Sequence, residues 1–543
     1  MRFNPPKGKF LPRRLPVQKI PHAAYGLNDQ EDPEEIDVIQ MADCENITID
    51  EGTWRSSPGW DSLNKTERTG PYYAIYQFRA SDGTEVLLRM RQNILEYATG
   101  IVQDWTACTM PNTGSPATPF EFTDGLYPTF ATLNDIVLIS NGTDSVLSST
   151  DGVTWTERAT LPKAKVIMNS GKNRILFMAQ DDSPSLISWC DINDPLTVGG
   201  TSWQYVEPND GQQILGGTLT PWGSLLVFKS ATIYEISDVS FGTVDVNVAA
   251  KNINLSSHQS IAVTDNSVMF FATDGVYEYV GGVVRKASGN MTRKGRNYII
   301  NAKRVCATFF NNKYTLSMPD HDVSDTYNSQ EYVFHTDMPT DKPQNPYAIT
   351  RNRRYVGCYG YEDLNTAGNR YISSFFGDSR TSSGSPASGG QDFGYINDYE
   401  LTAAEGYSQG LNGEEQTCYF TTKFFTNEEA FYSKRFKQFY LRIKTDQSFD
   451  ITLYYRFDPL ASWITDTISV VTPSLAWELD DGSTGDWDDG FGWAVYGQLN
   501  EYVDLNPDID RPRGIQFKVE FTTTSPVVIY DMGFRFLSKN KFK

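Results

Sequence analysis

Sustained helical periodicity is missing from this chain of 543 residues. No window keeps apolar positions three and four residues apart for long. Long apolar runs are missing too, and none approaches the roughly 18 residues that cross a bilayer. Histidine is scarce: the four residues His22, His258, His321 and His335 lie far apart, and no pair has metal-ligand spacing. His321, between Asp320 and Asp322, is the one with acidic neighbours, and it reads as a solvated loop residue. The six cysteines (Cys44, Cys108, Cys190, Cys306, Cys358 and Cys418) contain no C-x-x-C pair. The nearest two are about fifty residues apart, which argues against zinc or a redox motif. Reduced, buried thiols in a protein made in the cytoplasm are expected. No G-x-x-x-x-G-K-[ST], G-x-S-x-G or H-E-x-x-H occurs, so no catalytic residue is singled out and no cofactor is expected.

Positive charge is also in short supply. Against 67 acidic residues stand 47 basic ones, a formal net charge of −20. Such a field repels polyanions and disfavours nucleic acid or an anionic membrane as the main partner. The N-terminus, MRFNPPKGKFLPRRLPVQKI, is basic but has no apolar centre, so a secretory signal is not expected.

Aromatic residues are plentiful: they make up 13% of the chain, with 30 Tyr and 31 Phe. They fit pleated, half-buried sheet surfaces. The 42 glycines and 27 prolines are spread evenly, as many turns require. The expected fold class is all-β.

From about residue 37 to 405 a unit recurs: an Asn- or Gly-rich turn, a short apolar strand, a second turn and an alternating strand. Anchors at Gly83, Asn134, Asn173, Gly223, Asn266, Asn312 and Asn369 are separated by 51, 39, 50, 43, 46 and 57 residues. A four-stranded propeller blade takes about 40–50 residues, so a β-propeller of six to eight blades is expected, seven being favoured. The runs Val86–Met90, Ile136–Ile139, Ile175–Met178, Leu225–Phe228 and Val268–Phe271 are apolar on both faces. Strands covered by a neighbouring blade on each side read this way. A strand at Asn46–Ile49 is expected to complete the last blade and close the ring.

On this reading residues 1–36 are an extended N-terminal arm, 37–405 the propeller, 406–414 a linker and 415–543 a C-terminal β-sandwich. The sandwich is expected from the strong alternation in TCYFTTKFF, RFKQFYLRIKTDQSFDITLYYRFD and GIQFKVEFTTTSPVVIYDMGFRFLSK. The arm has Arg2, Lys7, Lys9, Arg13, Arg14 and Lys19 before its first acid, and Pro5, Pro6, Pro12, Pro16 and Pro21 keep that stretch extended. It is expected to bind an adjacent subunit or another protein, those six basic residues finding acceptors on an acidic neighbour.

Two clusters carry possible chemistry. Asp480, Asp481, Asp486, Asp488 and Asp489 crowd one loop, which must stay wet or hold a cation. The loop fails the EF-hand register, and a solvated loop is the expected state. The segment Ser148–Trp155 resembles the Asp-box of sialidases and related propellers, with Asp151, Gly152, Thr154 and Trp155 in pattern and one residue fewer between Asp and Gly. That resemblance implies a structural turn, with Asp151 accepting N–H bonds and Trp155 packed on the blade.

The segment Ala42–Trp60 resembles the opening of propeller-type virion structural proteins of tailed bacteriophages, such as tail hub or nozzle proteins. An Asn-bearing strand leads there into a G-x-x-R-x-x-P-G turn, and Asn46, Gly52, Arg55, Pro58 and Gly59 stand at those positions. The resemblance implies a non-enzymatic virion component, with other virion proteins and copies of itself as partners, passive contact with exiting DNA and no membrane insertion. A propeller that binds or hydrolyses host glycans is the alternative.

Overall fold

The computed structural model describes residues 17–21, 25–50, 53–57, 60–62, 71–99, 105–113, 118–237, 245–289, 304–319, 328–341, 346–366, 369–378, 393–396, 416–426, 432–445, 448–470, 477–478, 484–485, 497–505, 514–523 and 527–540. It separates into two compact units: Pro58–Glu415, and Met1–Ser57 together with Gln416–Lys543.

The described residues of Pro58–Glu415 contain seven four-stranded antiparallel sheets. Blade one is Tyr72–Arg79, Glu85–Arg91, Ile94–Ala98 and Thr106–Ala107. Blade two is Thr129–Leu133, Ile136–Ser140, Val146–Ser149 and Thr156–Arg158; blade three is Ala164–Asn169, Ile175–Gln180, Leu186–Trp189 and Trp203–Tyr205. Blade four is Ile214–Leu219, Leu225–Lys229, Thr232–Ile236 and Val246–Lys251; blade five is Ala262–Val263, Val268–Ala272, Gly275–Val280 and Val283–Lys286. Blade six is Cys306–Phe310, Lys313–Met318, Gln330–Pro339 and Tyr347–Asn352. This is a seven-bladed β-propeller.

In blades one to six the Asn and Gly anchors fall at one place, the turn between the first and second strands, and in blade seven Asn369 opens the second strand. Gly83, Asn134, Asn173, Gly223 and Asn312 have φ of +91°, +49°, +57°, +88° and +56°. Only Gly, and Asn at modest cost, adopts that conformation readily, which is why those residues mark the period. The doubly apolar runs are the second strands. In blades four and five all five residues of that strand are buried, whereas the fourth strand of blade four is largely exposed.

Blade seven is Val356–Thr366, Asn369–Asp378 and Phe393–Ile396, and its fourth strand is Trp60–Ser62. Trp60, Asp61 and Ser62 pair with Ile396, Tyr395 and Gly394. An early strand therefore closes the ring, but not Asn46–Ile49. Ile47–Asp50 instead forms a hairpin with Thr53–Ser56 in the other unit. Asn46 sits at φ +57° and its Nδ2 donates to the Thr417 carbonyl at 2.8 Å. That polar turn and the burial of Ile47, Ile49 and Trp54 hold the segment there. A propeller fragment starting at residue 58 should melt at a higher temperature than one starting at 71. Equal melting temperatures would refute closure by Trp60–Ser62.

The second unit is a β-sandwich. One sheet orders Ile47–Asp50, Thr53–Ser56, Val528–Asn540, Tyr432–Thr445 and Gly497–Asp504, and Val17–Ile20 also pairs with Val528–Asn540. The other orders Met41–Glu45, Gln416–Thr422, Gly514–Thr523, Phe449–Arg456 and Ile464–Val470, with Phe425–Thr426 beside Gly514–Thr523. Aromatic rings fill the space between the sheets: Trp54 and Phe420 have centroids 4.1 Å apart, and Phe439 and Phe517 4.8 Å apart. The domain boundaries expected from the sequence thus shift. Met41–Glu45, Ile47–Asp50 and Thr53–Ser56, assigned to the propeller, are sandwich strands, whereas the blade strand Phe393–Ile396 lies within the expected propeller span 37–405.

Candidate functional site

The third strands of four blades carry a glutamate with an aromatic or apolar residue directly after it: Glu96, Glu235, Glu278 and Glu331. Three of them join their blade to the next. Tyr279 of blade five donates its hydroxyl to Glu235 of blade four at 2.6 Å. Tyr347 of blade six donates to Glu278 of blade five at 2.7 Å, and Tyr359 of blade seven to Glu331 of blade six at 2.7 Å. The same glutamates serve their own blades: Arg285 Nε meets Glu278 at 2.7 Å, and Asn352 and Arg354 meet Glu331 at 2.9 and 3.1 Å. In blade one, Glu96 holds Arg89 and Arg91 at 2.8 and 3.1 Å, and the Arg89 guanidinium lies 4.0 Å from the Trp105 ring centre.

The electrostatics follow. Burial opposes ionisation of Glu235, but hydrogen bonds from Ser224, Tyr279 and Trp222 outweigh it and hold the carboxyl below its usual range. Burial and then the Glu278 carboxylate push the Tyr347 hydroxyl up to about 12. Each tyrosine thus stays a donor and each bond is charge-assisted, the stronger kind. In the sequence these three glutamates show only as acids beside aromatics, in IYEIS, VYEYV and QEYVF, and their tyrosine partners come from other blades at separations that no local pattern marks.

The first strands of the blades surround a cavity of 250 Å³ whose lining includes Tyr76, Phe130, Ile167, His258, Ala307 and Cys358. A void of 520 Å³ shares Tyr76 and Ala307 with it. Tyr76 and Phe130 stack at 5.1 Å. His258 is half-buried beside Gly216, where a Cβ would come within 3.1 Å of its Nδ1. Burial lowers its pKa to about 4. Of the thiols in the lining, burial raises Cys306 well above its usual range. A protonated thiol and a neutral imidazole make a weakly reactive lining at pH 7.

His335 is buried, and its Nε2 lies 3.0 Å from Thr350 Oγ1. Burial and then Lys313 lower its pKa to about 3. Such a group stays neutral in the folded protein while the unfolded chain protonates near pH 6.5. Its contribution is therefore complete above pH 6.5 and is lost as the pH falls from there to about 3. The loss is on the order of 5 kcal/mol. Urea titrations between pH 7 and 4 should show a shallower decline for His335→Gln than for the parent, and parallel curves would exclude the assignment.

In the Asp-box-like turn, Asp151 Oδ1 accepts from the N–H groups of Val153 and Thr154 at 2.8 and 2.7 Å and from Ser149 Oγ at 2.8 Å. Gly152 has φ +72°, and a Cβ there would meet Phe78 and Val86 of blade one at 3.2 Å. Trp155 is buried, its backbone N–H donates to the Thr109 carbonyl, and its ring joins Phe78, Val86, Val137 and Leu147 in one apolar cluster. The turn braces blade two on blade one.

The other expected positions divide. Lys19 Nζ pairs with Asp531 at 3.0 Å, where Val17–Ile20 adds to the sandwich sheet. Residues 25–41 are also held within this unit, with Leu27 and Ile36 fully buried. Arg2, Lys7, Lys9, Arg13 and Arg14 lie outside the described residues, as do His22, His321 and the cluster Asp480, Asp481, Asp486, Asp488 and Asp489. Among the described residues no group of three or more His, Cys, Asp and Glu is placed to hold a metal ion. No helix among them is long and apolar enough to cross a membrane.

No protein-family profile matches the chain, and no curated protein matches it. Solved structures with a similar chain path include YCF48 from Cyanidioschyzon merolae, at 9% identity, covering 63% of this chain and 100% of that one, with a TM-score of 0.35. A streptogramin B lyase is 11% identical over 62% of this chain and 97% of its own, with a TM-score of 0.37. A puromycin hydrolase is 9% identical over 67% of this chain and 62% of its own, with a TM-score of 0.33. These neighbours are β-propellers, and at such scores none carries an argument about what this chain does.

Proposed function

We propose that this chain is a non-enzymatic structural component of a tailed-bacteriophage virion, a hub, nozzle or adaptor-like tail protein that assembles as a ring of copies. The observation that carries the reading is the Ala42–Trp60 segment, with Asn46, Gly52, Arg55, Pro58 and Gly59 in the phage pattern. The architecture supports it. A propeller whose blades are latched by buried glutamates is a rigid spacer, and a sandwich threaded by both ends of the chain is a second rigid body. The partners are other copies, neighbouring virion proteins and, passively, exiting DNA; the location is the virion. Native mass spectrometry and electron microscopy of the purified protein test this, with a closed ring of fixed copy number expected. A persistent monomer absent from purified particles would overturn it.

A glycan-binding propeller is the second reading. Its support is a set of exposed aromatic faces held in place: Trp203 is 48% exposed with its indole N–H on the Gly200 carbonyl, and Trp222 is 45% exposed with its N–H on Glu235. Host-glycan binding lost in Trp203→Ala and Trp222→Ala would favour it.

A further inference from the structure

We propose that the edge of Val528–Asn540 is a strand-acceptor slot, and that in the assembled protein it is filled by the strand Val17–Ile20 of a second copy. The slot is shaped for one short strand. Val17, Gln18, Lys19 and Ile20 pair antiparallel with Arg535, Phe534, Gly533 and Met532. Gly533 makes the approach possible: a Cβ there would stand 2.4 Å from the Gln18 carbonyl oxygen and 2.6 Å from the Tyr440 ring. Ile20 is buried opposite buried Met532, and Lys19 meets Asp531. Backbone pairing, one apolar anchor and one ion pair are the elements of recognition by strand addition.

The sequence around the strand favours exchange between copies. Pro16 and Pro21 stand at its two ends, so the plug cannot lengthen in either direction without losing ladder donors. The chain is tied down again at once: the Tyr25 N–H bonds to the Ile39 carbonyl, and the Asn28 N–H to the Met41 carbonyl. Residues 21–24 alone connect plug and tether. The contacts are the same whether the strand comes from its own chain or another, so the connection decides, and a short, proline-constrained hinge favours exchange. Beyond the plug, Arg2, Lys7, Lys9, Arg13 and Arg14 would continue onto a neighbour of net charge −20. Head-to-tail donation around a ring leaves no slot empty and no plug unused.

This inference rests on the ring reading, and the test separates the two. Val17 and Arg535 stand opposite each other, where a cysteine pair is within disulfide reach. The six native cysteines are all buried, and no disulfide joins any of them. Full-length Val17→Cys/Arg535→Cys protein is assembled, its native mass measured, then oxidised and run on a denaturing non-reducing gel. A ladder of covalent multimers is expected, as is a heterodimer when chains carrying only Val17→Cys are co-assembled with chains carrying only Arg535→Cys. Ile20→Cys/Met532→Cys, also opposite, serves if the first pair misfolds. Single-chain bands in protein whose native mass is a closed ring overturn the exchange and leave the ring standing. Single-chain bands in protein whose native mass is one chain overturn both.

Discussion

Glu331→Ala is expected to destabilise the propeller by about 3–5 kcal/mol, the cost of breaking a buried ion pair by removing one partner. The carboxylate is fully buried and accepts from Asn352, Arg354 and Tyr359. Its loss takes the carboxylate away from a buried guanidinium and at the same time cuts the bond between blades six and seven. Tyr359→Phe is the graded comparison. It removes only the inter-blade bond, leaves the glutamate its two intrablade donors, and should cost about 1.5–3 kcal/mol, as bonds to charged groups do. Calorimetric melting of the two variants decides: an equal, small shift in both would mean that the glutamate does not bridge the blades. Tyr279→Phe and Tyr347→Phe should match Tyr359→Phe, since their geometry is the same.

Trp155→Ala should cost a similar amount, roughly 3–5 kcal/mol, for a different reason. It empties a volume shared by blades one and two, where Phe78, Val86 and Cys108 meet Val137, Ile139 and Leu147. Asp151→Ala removes the acceptor of two backbone N–H groups in a largely exposed turn and should cost about 1–2 kcal/mol, because water replaces part of what is lost. Both variants are expected to lower the melting temperature in that order. Loss of a glycan-processing activity at unchanged stability would instead move this turn into an active site and favour the glycan reading.

The period and strand type of the propeller were readable from residues because each blade repeats one local constraint. At five of the seven anchors a turn with positive φ selects Gly or Asn, and in blades four and five the strand after such an anchor turn, buried along its length, selects mainly apolar residues. The alternation in the last 130 or so residues announced a second, one-face-buried sheet system in the same way. Tertiary structure decided what depends on non-local pairing. Trp60–Ser62 is too short to signal its blade, and its partner Phe393–Ile396 lies over 330 residues away. Asn46–Ile49 has strand character, but the burial of Ile47 and Ile49 and the hairpin with Thr53–Ser56 fix it in the sandwich. The glutamates showed only as acids among aromatics; that Tyr279, Tyr347 and Tyr359 of the following blades satisfy them follows from ring packing. Lys19 read as part of a free basic arm because charge and proline content report extension, not destination. Gly533, 514 residues further on, is what lets that extended strand settle against the sheet.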